Sequence, residues 1–274
     1  MESISKQLRI RRLWKHDRTV IIPFDHGSYS GPVEGIGDPR SLVERIASTE
    51  ADAILVTPGL IKQIAPSVGQ LGIVVRMDGG FTTYSPGPVD YQAMFTAEDA
   101  VRTGADAGIV FTFVGTGFEA ESLRRLGATA AESDRWNFPL ISEVLPPSLL
   151  NNHFGTTMFP KGSGDQVAET RTVARIAAEA GADVIKTRFV GTVDQFRGVV
   201  DQCGAPIIIA GGPNLNGTDE QLLRLTRDCV DAGAAGIIFG RNVWQHPAME
   251  RLIGALCAIV HHGESVAGAL KLLR

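Results

Sequence analysis

Lys186 stands inside "GADVIKTRF" (181–189), a short apolar run. An ammonium group there costs several kcal/mol unless it loses its proton or meets a partner. Alternation along a strand puts Val184, Lys186 and Arg188 on one side and Ile185 and Thr187 on the other. A neutral amine held among apolar walls is the nucleophile that attacks a ketone and forms a Schiff base. The iminium is an electron sink that acidifies the neighbouring carbon, so a base can generate an enamine that attacks an aldehyde. Such chemistry needs an amine, a proton carrier and an anchor for the substrate. The plainer alternative for Lys186 is a structural ion pair with Asp25 or Glu143.

Candidates for the other parts sit after apolar runs along the chain. They are Asp25–His26–Gly27, Asp78–Gly79–Gly80, Glu143, Gly211–Gly212 and Gly240–Arg241–Asn242. The glycines of "IIIAGGP" and "GIIFGRN" let backbone N–H groups approach an anion, and Arg241 adds a forked donor for phosphate oxygens. Each alone also reads as a tight turn; together they predict a phosphate site.

A repeated phrase shows which elements must position these residues. "STEADAILVT", "RTGADAGIVFT", "EAGADVIKT" and "DAGAAGIIFG" each end an amphipathic stretch, mostly at a glycine, and start a short apolar run. That is the helix-to-strand junction of a parallel sheet, whose strands are buried on both faces. Eight strands are expected at 20–25, 53–57, 73–77, 108–113, 139–144, 183–187, 206–210 and 235–239. Helical stretches fall at 39–49, 97–103, 119–136, 165–180, 193–202, 218–232 and 248–261. Eight such units in about 250 residues predict an α/β fold, a single (β/α)8 TIM barrel spanning 1–274 with an N-terminal helical extension over about 1–17. A doubly wound sheet would announce itself with G-x-G-x-x-G after the first strand, and "PFDHGSYSGP" has no such turn. In a barrel the chemistry belongs at the C-terminal strand ends, where all the candidates lie.

The motifs "VIIPFDHGSYSGP", "DVIKT", "IIIAGGP" and "GIIFGRNVWQH" resemble the archaeal-type class I aldolases of the DeoC/LacD group, in order from about Arg18 onward. The resemblance implies a barrel without a cofactor, acting through a covalent Schiff base, and often assembled into decamers or similar rings. Carried over by position, it makes Lys186 the Schiff-base lysine and Asp25 a proton acceptor or hydroxyl-binding group. Gly211, Gly212, Gly240 and Arg241 take the phosphate-binding positions. His26, Gly27 and Arg188, at the ends of the first and sixth strands, are further substrate-binding candidates. The family's fifth strand ends in a proton-donating tyrosine, where this chain has Leu145 in "FPLISEVLPPS". Glu143, two residues earlier and on the same face, is expected to serve instead, with its pKa raised towards neutrality by burial. Tyr29 is a weaker substitute. The favoured branch joins dihydroxyacetone phosphate to aspartate 4-semialdehyde, giving 2-amino-4,5-dihydroxy-6-oxo-7-(phosphooxy)heptanoate for secondary metabolism. Arg188, Arg76, Asp78 and Lys62 are the charges available to such an acceptor. Fructose-1,6-bisphosphate aldolase, aminodideoxyheptulosonate synthase, thiolase-like acyl transfer and a catalytically silent phosphate-binding barrel are the alternatives.

The net charge of −4 and the absence of a basic run speak against a nucleic-acid partner. Three scattered cysteines lack zinc-ligand spacing and suit a reducing compartment. No apolar leader or stretch of ~18 apolar residues is present, so a cytoplasmic protein off the membrane is expected. Of the six histidines, only His26 directly follows a barrel strand and His153 lies after the fifth, which argues against a metal site. The segment 146–165 is long for a βα loop and is expected either to cover the site or to be ordinary surface loop.

Overall fold

The computed structural model describes residues 3–85, 91–212 and 217–273. The barrel strands are β1 (Thr19–Pro23), β2 (Ala53–Val56), β3 (Gly72–Arg76), β4 (Ala107–Thr112), β5 (Leu140–Val144), β6 (Val184–Arg188), β7 (Ile207–Ala210) and β8 (Gly236–Ile238). Each pairs in parallel with its neighbours in sequence, and β8 closes on β1. This is the expected single (β/α)8 barrel. Strand alternation sorts the side chains into two layers. Ile21, Leu55, Ile109, Ile141, Val184 and Ile208 fill the interior, while Val20, Ile54, Val110, Ile185 and Ile209 pack outward against the helices. Among the described residues, no helix is long and apolar enough to cross a membrane.

The repeated phrase has a physical purpose. Asp52 accepts a hydrogen bond from the Val20 N–H (2.7 Å), Asp106 from Ile73 (3.0 Å) and Asp183 from Leu140 (2.8 Å). Each aspartate precedes one strand and satisfies a donor at the start of the strand before it, fixing their relative register. The glycines before them, Gly104 and Gly181, have φ of 83° and 106°, the left-handed conformation that ends a helix. The N-terminal helix Ile4–Leu13 uses the same carboxylates: Lys6 lies 2.6 Å from Asp183 and Arg12 3.0 Å from Asp106. Its Leu13 plugs the lower end of the barrel, 1% exposed.

Two helices stand where loops were expected. Pro58–Ile64 starts with proline at the first turn and is capped by Thr57, which accepts from the Leu60 N–H. Pro147–Phe154 begins the same way after Pro146 and stops at Gly155, φ 64°. A Pro–Pro pair looks like a loop, yet a proline at the first helical position loses no hydrogen bond. Asp78–Gly79 also pairs antiparallel with Gln92–Ala93 above β3.

Replacing Asp106 by alanine leaves a buried N–H and an arginine unpaired. Urea unfolding should show a loss of about 1–3 kcal/mol. Asp134→Ala, at the exposed end of the Lys6 pair, should stay within about 0.5 kcal/mol of wild type.

Candidate active site

The C-terminal mouth of the barrel opens on a cavity of ≈ 900 Å³ lined by Asp25, His26, Glu143, Lys186, Arg188 and Arg241 among others. Lys186 points into it, 6% exposed, with Nζ 2.8 Å from Oε1 of Glu143, its register partner on β5. The other Glu143 oxygen accepts from Arg76 Nη2 at 2.6 Å. The same guanidinium donates to Asp25 Oδ2 (3.0 Å) and Asp78 Oδ1 (3.3 Å). Asp78 also accepts from the Phe111 N–H. Strands β1, β3, β5 and β6 are thus joined by one buried network of charge.

This network corrects the reading of Glu143. Burial alone would raise its pKa, but Lys186 and Arg76 on either side hold it well below the ordinary carboxylate range. It is an ionised partner for the lysine, and a proton on it is strongly disfavoured. Asp78 is the carboxyl that burial pushes up, to about 6, with Arg76 opposing. Leu145 lines the cavity two residues above Glu143, 1% exposed. Tyr29 also lines the wall, its hydroxyl pushed far up by burial and then by Asp25, so it keeps its proton.

Sequence reasoning gave no catalytic part to His153. The helix Pro147–Phe154 brings it to the cavity, where its ring sits 5.7 Å from that of Phe111 and its buried Nδ1 has no hydrogen-bond partner. Burial lowers its pKa to about 4 against the pull of Glu143, so the ring is neutral at neutral pH. His26 is likewise lowered to about 4 by burial, with Asp25 opposing; its Nδ1 is 3.6 Å from Asp25 Oδ1. The missed signal was the proline-initiated helix, which turns "LLNNHF" from loop into a placed element.

Across Lys186 from Glu143 lies the candidate anion site. Arg188 and Arg241 face the cavity, and among the described residues neither is ion-paired to a carboxylate. Burial, then the charge of Arg241, lowers the pKa of Arg188. A Cβ on Gly212 (φ 76°) would fall 2.3 Å from the Arg188 guanidinium carbon, and one on Gly240 3.0 Å from the Pro23 carbonyl oxygen. The left-handed φ makes glycine the fitting residue at 212, and at 240 a side chain would press against the Pro23 carbonyl. Gly211 completes that wall, whereas Gly27 does not line the cavity and opens the short helix Gly27–Ser30 beside it. Lys62 is exposed on its helix and is likewise not among the lining residues.

The segment 146–165 is tied down. Glu169 accepts from the N–H groups of Ser148 (2.9 Å) and Gly164 (3.1 Å) and from Ser163, and Asn151 exchanges two 2.9 Å bonds with the Phe159 backbone. Elsewhere, among the described residues, His16, Asp52 and His261 form the one converging group of metal-capable side chains. It lies at the lower end of the barrel, beside the Val20 N–H that Asp52 accepts, away from Lys186.

Fold and site together define a class: a (β/α)8 barrel whose upper mouth holds a lysine–carboxylate pair beside a cradle of glycines and arginines, the equipment of a lysine-dependent aldolase. The chain belongs to the DeoC/LacD family of aldolases, whose model matches residues 19–246. It is 34% identical over 273 residues to the 2-amino-3,7-dideoxy-D-threo-hept-6-ulosonate synthase of Halobacterium salinarum, covering 98% of this chain and 97% of that one. It is 28% identical over 265 residues to the 2-amino-4,5-dihydroxy-6-oxo-7-(phosphonooxy)heptanoate synthase of Streptomyces griseus, covering 94% and 91%. The crystal structure of an archaeal fructose 1,6-bisphosphate aldolase matches with a TM-score of 0.81 at 25% identity, over 94% of this chain and 100% of that one. A fructose-1,6-bisphosphate aldolase described as Schiff base forming matches at 0.79 and 25%, over 93% and 99%. Carbon–carbon lyase chemistry is the activity of this family and of this chain.

Glu169 anchors the segment that carries His153, and its pKa is held at about 2, burial being outweighed by bonds from Ser148 and Ser163. A depressed carboxylate stabilises the fold fully above its unfolded value of 4.5 and loses that contribution as pH falls towards 2. The Tm difference between wild type and Glu169→Gln should therefore be full at pH above 4.5 and shrink steadily towards pH 2.

Proposed function

We propose that this protein is a class I aldolase in which Lys186 forms a Schiff base with dihydroxyacetone phosphate and the resulting enamine is joined to an aldehyde. One observation carries the reading: Lys186 stands in the cavity between an ionised carboxylate 2.8 Å away and two arginines that, among the described residues, are not ion-paired to a carboxylate. The phosphate would lie against Arg188, Arg241 and the backbone of Gly211, Gly212 and Gly240, which sets the ketone carbon at the lysine. Lys186 gives up its proton to add through the free amine, and that proton returns to the carbinolamine hydroxyl, which leaves as water and gives the iminium. Glu143 beside the nitrogen keeps the iminium protonated and cationic, which is the state that withdraws electrons.

A base then takes the proton from the carbon beyond the iminium, leaving the enamine. Leu145 cannot do this, and Glu143, whose affinity for a proton is drained by Lys186 and Arg76, is too weak a base, so the task is assigned to the neutral imidazole of His153. His26 and Asp25, on the opposite wall, are placed to bind donor hydroxyls. The enamine carbon bonds to the aldehyde carbon, the aldehyde oxygen takes up a proton, and water returns the free lysine and a hydroxyketone. The balance needs no oxidant or reductant.

The motif resemblance suggests aspartate 4-semialdehyde as acceptor, and the Streptomyces griseus relative is named for the corresponding product, 2-amino-4,5-dihydroxy-6-oxo-7-(phosphonooxy)heptanoate. The geometry favours the donor half of that reaction over the acceptor half, since Arg76 is occupied by three carboxylates and Lys62 does not line the cavity. Assembly into a homo-oligomeric ring is part of the same proposal.

Borohydride reduction with dihydroxyacetone phosphate should leave a mass adduct mapping to Lys186 and absent in Lys186→Ala. No adduct, with the phosphate ligand still bound, points instead to a silent barrel. In His153→Asn the adduct should persist while exchange of the donor's α-hydrogen with deuterated water slows by about 100-fold or more. Unchanged exchange removes His153 from proton transfer.

A further inference from the structure

Strand register divides the cavity into two halves with Lys186 between them. Lys186 pairs with Ile208 and Arg188 with Ala210 on β7, so the glycine–arginine cradle lies to that side. On the other side Lys186 pairs with Glu143, and Glu143 with Phe111 on β4. Neighbouring strands are about 4.8 Å apart, which places Phe111 roughly 10 Å across from the lysine. A ketone held on Lys186 with its phosphate towards β7 and β8 turns its reacting carbon towards β5 and β4. The second substrate has to arrive there.

Around the buried Asp78, Glu143 and His153, that half is walled by apolar side chains. Phe111 and Leu145, 2% and 1% exposed, form its floor. Phe154 lies above it, meeting Phe111 (5.3 Å) and Phe81 (5.6 Å) edge to face, and Tyr91 closes the side 5.7 Å from Phe111. At the rim Met94 stands 61% exposed while lining the same cavity. A large exposed apolar side chain continuous with a buried aromatic wall is unusual unless something apolar covers it.

Charge argues the same way. Among the described lining residues the lysine and arginine cations are Arg76, Lys186, Arg188 and Arg241. Arg76 is occupied by Asp25, Asp78 and Glu143, and the last three serve the donor. A carboxylate or second phosphate on the acceptor would meet no free cation beside Phe111 and would lie near the buried acids Asp78 and Glu143.

Resting on the Schiff-base reading above, we propose that the acceptor is an aldehyde with an uncharged apolar substituent, aromatic by preference, received by Phe81, Tyr91, Phe111, Leu145 and Phe154. The reaction forms one bond, from the enamine carbon of the donor to the aldehyde carbon. One proton leaves the donor carbon, one reaches the aldehyde oxygen, and the water released on forming the iminium is taken up on its hydrolysis.

The test measures kcat/KM with dihydroxyacetone phosphate against phenylacetaldehyde, glycolaldehyde, aspartate 4-semialdehyde and glyceraldehyde 3-phosphate. Phenylacetaldehyde should lead by about tenfold or more. A value for either charged aldehyde equal to or above it overturns the inference. In Phe154→Ala the ratio of phenylacetaldehyde to glycolaldehyde should fall about tenfold, and Phe81→Ser gives the same readout if the first variant does not fold. Unchanged ratios in both overturn it. If borohydride shows no adduct with dihydroxyacetone phosphate, the aldolase reading fails separately. Saturable binding of 2-phenylethanol, weakened in Phe154→Ala, would then still support the apolar subsite, and its absence would end it.

Discussion

A single guanidinium, that of Arg76, holds three buried carboxylates apart from solvent and from one another. Three like charges in one apolar pocket cannot all ionise without a cation among them. Arginine is suited to the place because it stays charged and presents a planar fork of donors in several directions at once. A buried ion pair adds little net stability over an apolar core, yet removing one partner typically costs about 3–5 kcal/mol. The network is thus better understood as a device for fixing positions. Glu143 is pinned on one oxygen by Arg76, so its other oxygen is aimed at Lys186, 2.8 Å away.

Two functional consequences follow from that constraint. In the proposed reaction, fixed negative charge beside Lys186 would favour the cationic iminium over the neutral imine, a difference made at the point where positive charge must be held. The same constraint withdraws Arg76 from ligand binding. The cations left to meet an incoming anion, Arg188 and Arg241, both lie on the far side of the lysine, and Gly212 lets the Arg188 guanidinium rest against bare backbone. The polarity of the cavity, anion-seeking on one side and apolar on the other, therefore begins with how one arginine on β3 is used.

The sequence made the barrel and Lys186 legible because both depend on local pattern. Short apolar runs at a regular period give eight strands, and alternation within "VIKTR" decides which way the lysine points. The recurring aspartate in "ADA" and "GADV" was visible as a phrase, but that it bonds an N–H at the start of the preceding strand requires knowing which strands lie side by side. The pKa of Glu143 was read in the wrong direction for a related reason. Burial could be inferred from its strand, whereas Arg76 lies 67 residues away and meets it only through barrel closure. Gly27 was assigned to ligand binding by its neighbours, yet a glycine that opens a short helix can turn away from a cavity lined by the residues on either side of it, His26 and Ser28.

Leu145 and His153 belong to one solution. At position 145 the strand end contributes apolar floor, which makes the region above β5 a better apolar surface and leaves the strand without a proton carrier. The helix Pro147–Phe154 then supplies both missing qualities from above, an imidazole at 153 and an aromatic ring at 154. Because that helix is held by Glu169 and by the Asn151–Phe159 bonds, the proton carrier and the apolar wall are ordered by the same few contacts. A group on a rigid strand is in place whether or not substrate is bound; a group on a tethered helix is in place only while its tethers hold. In the proposed mechanism catalysis would therefore be tied to the order of this segment in a way that a tyrosine at the end of β5 would not require.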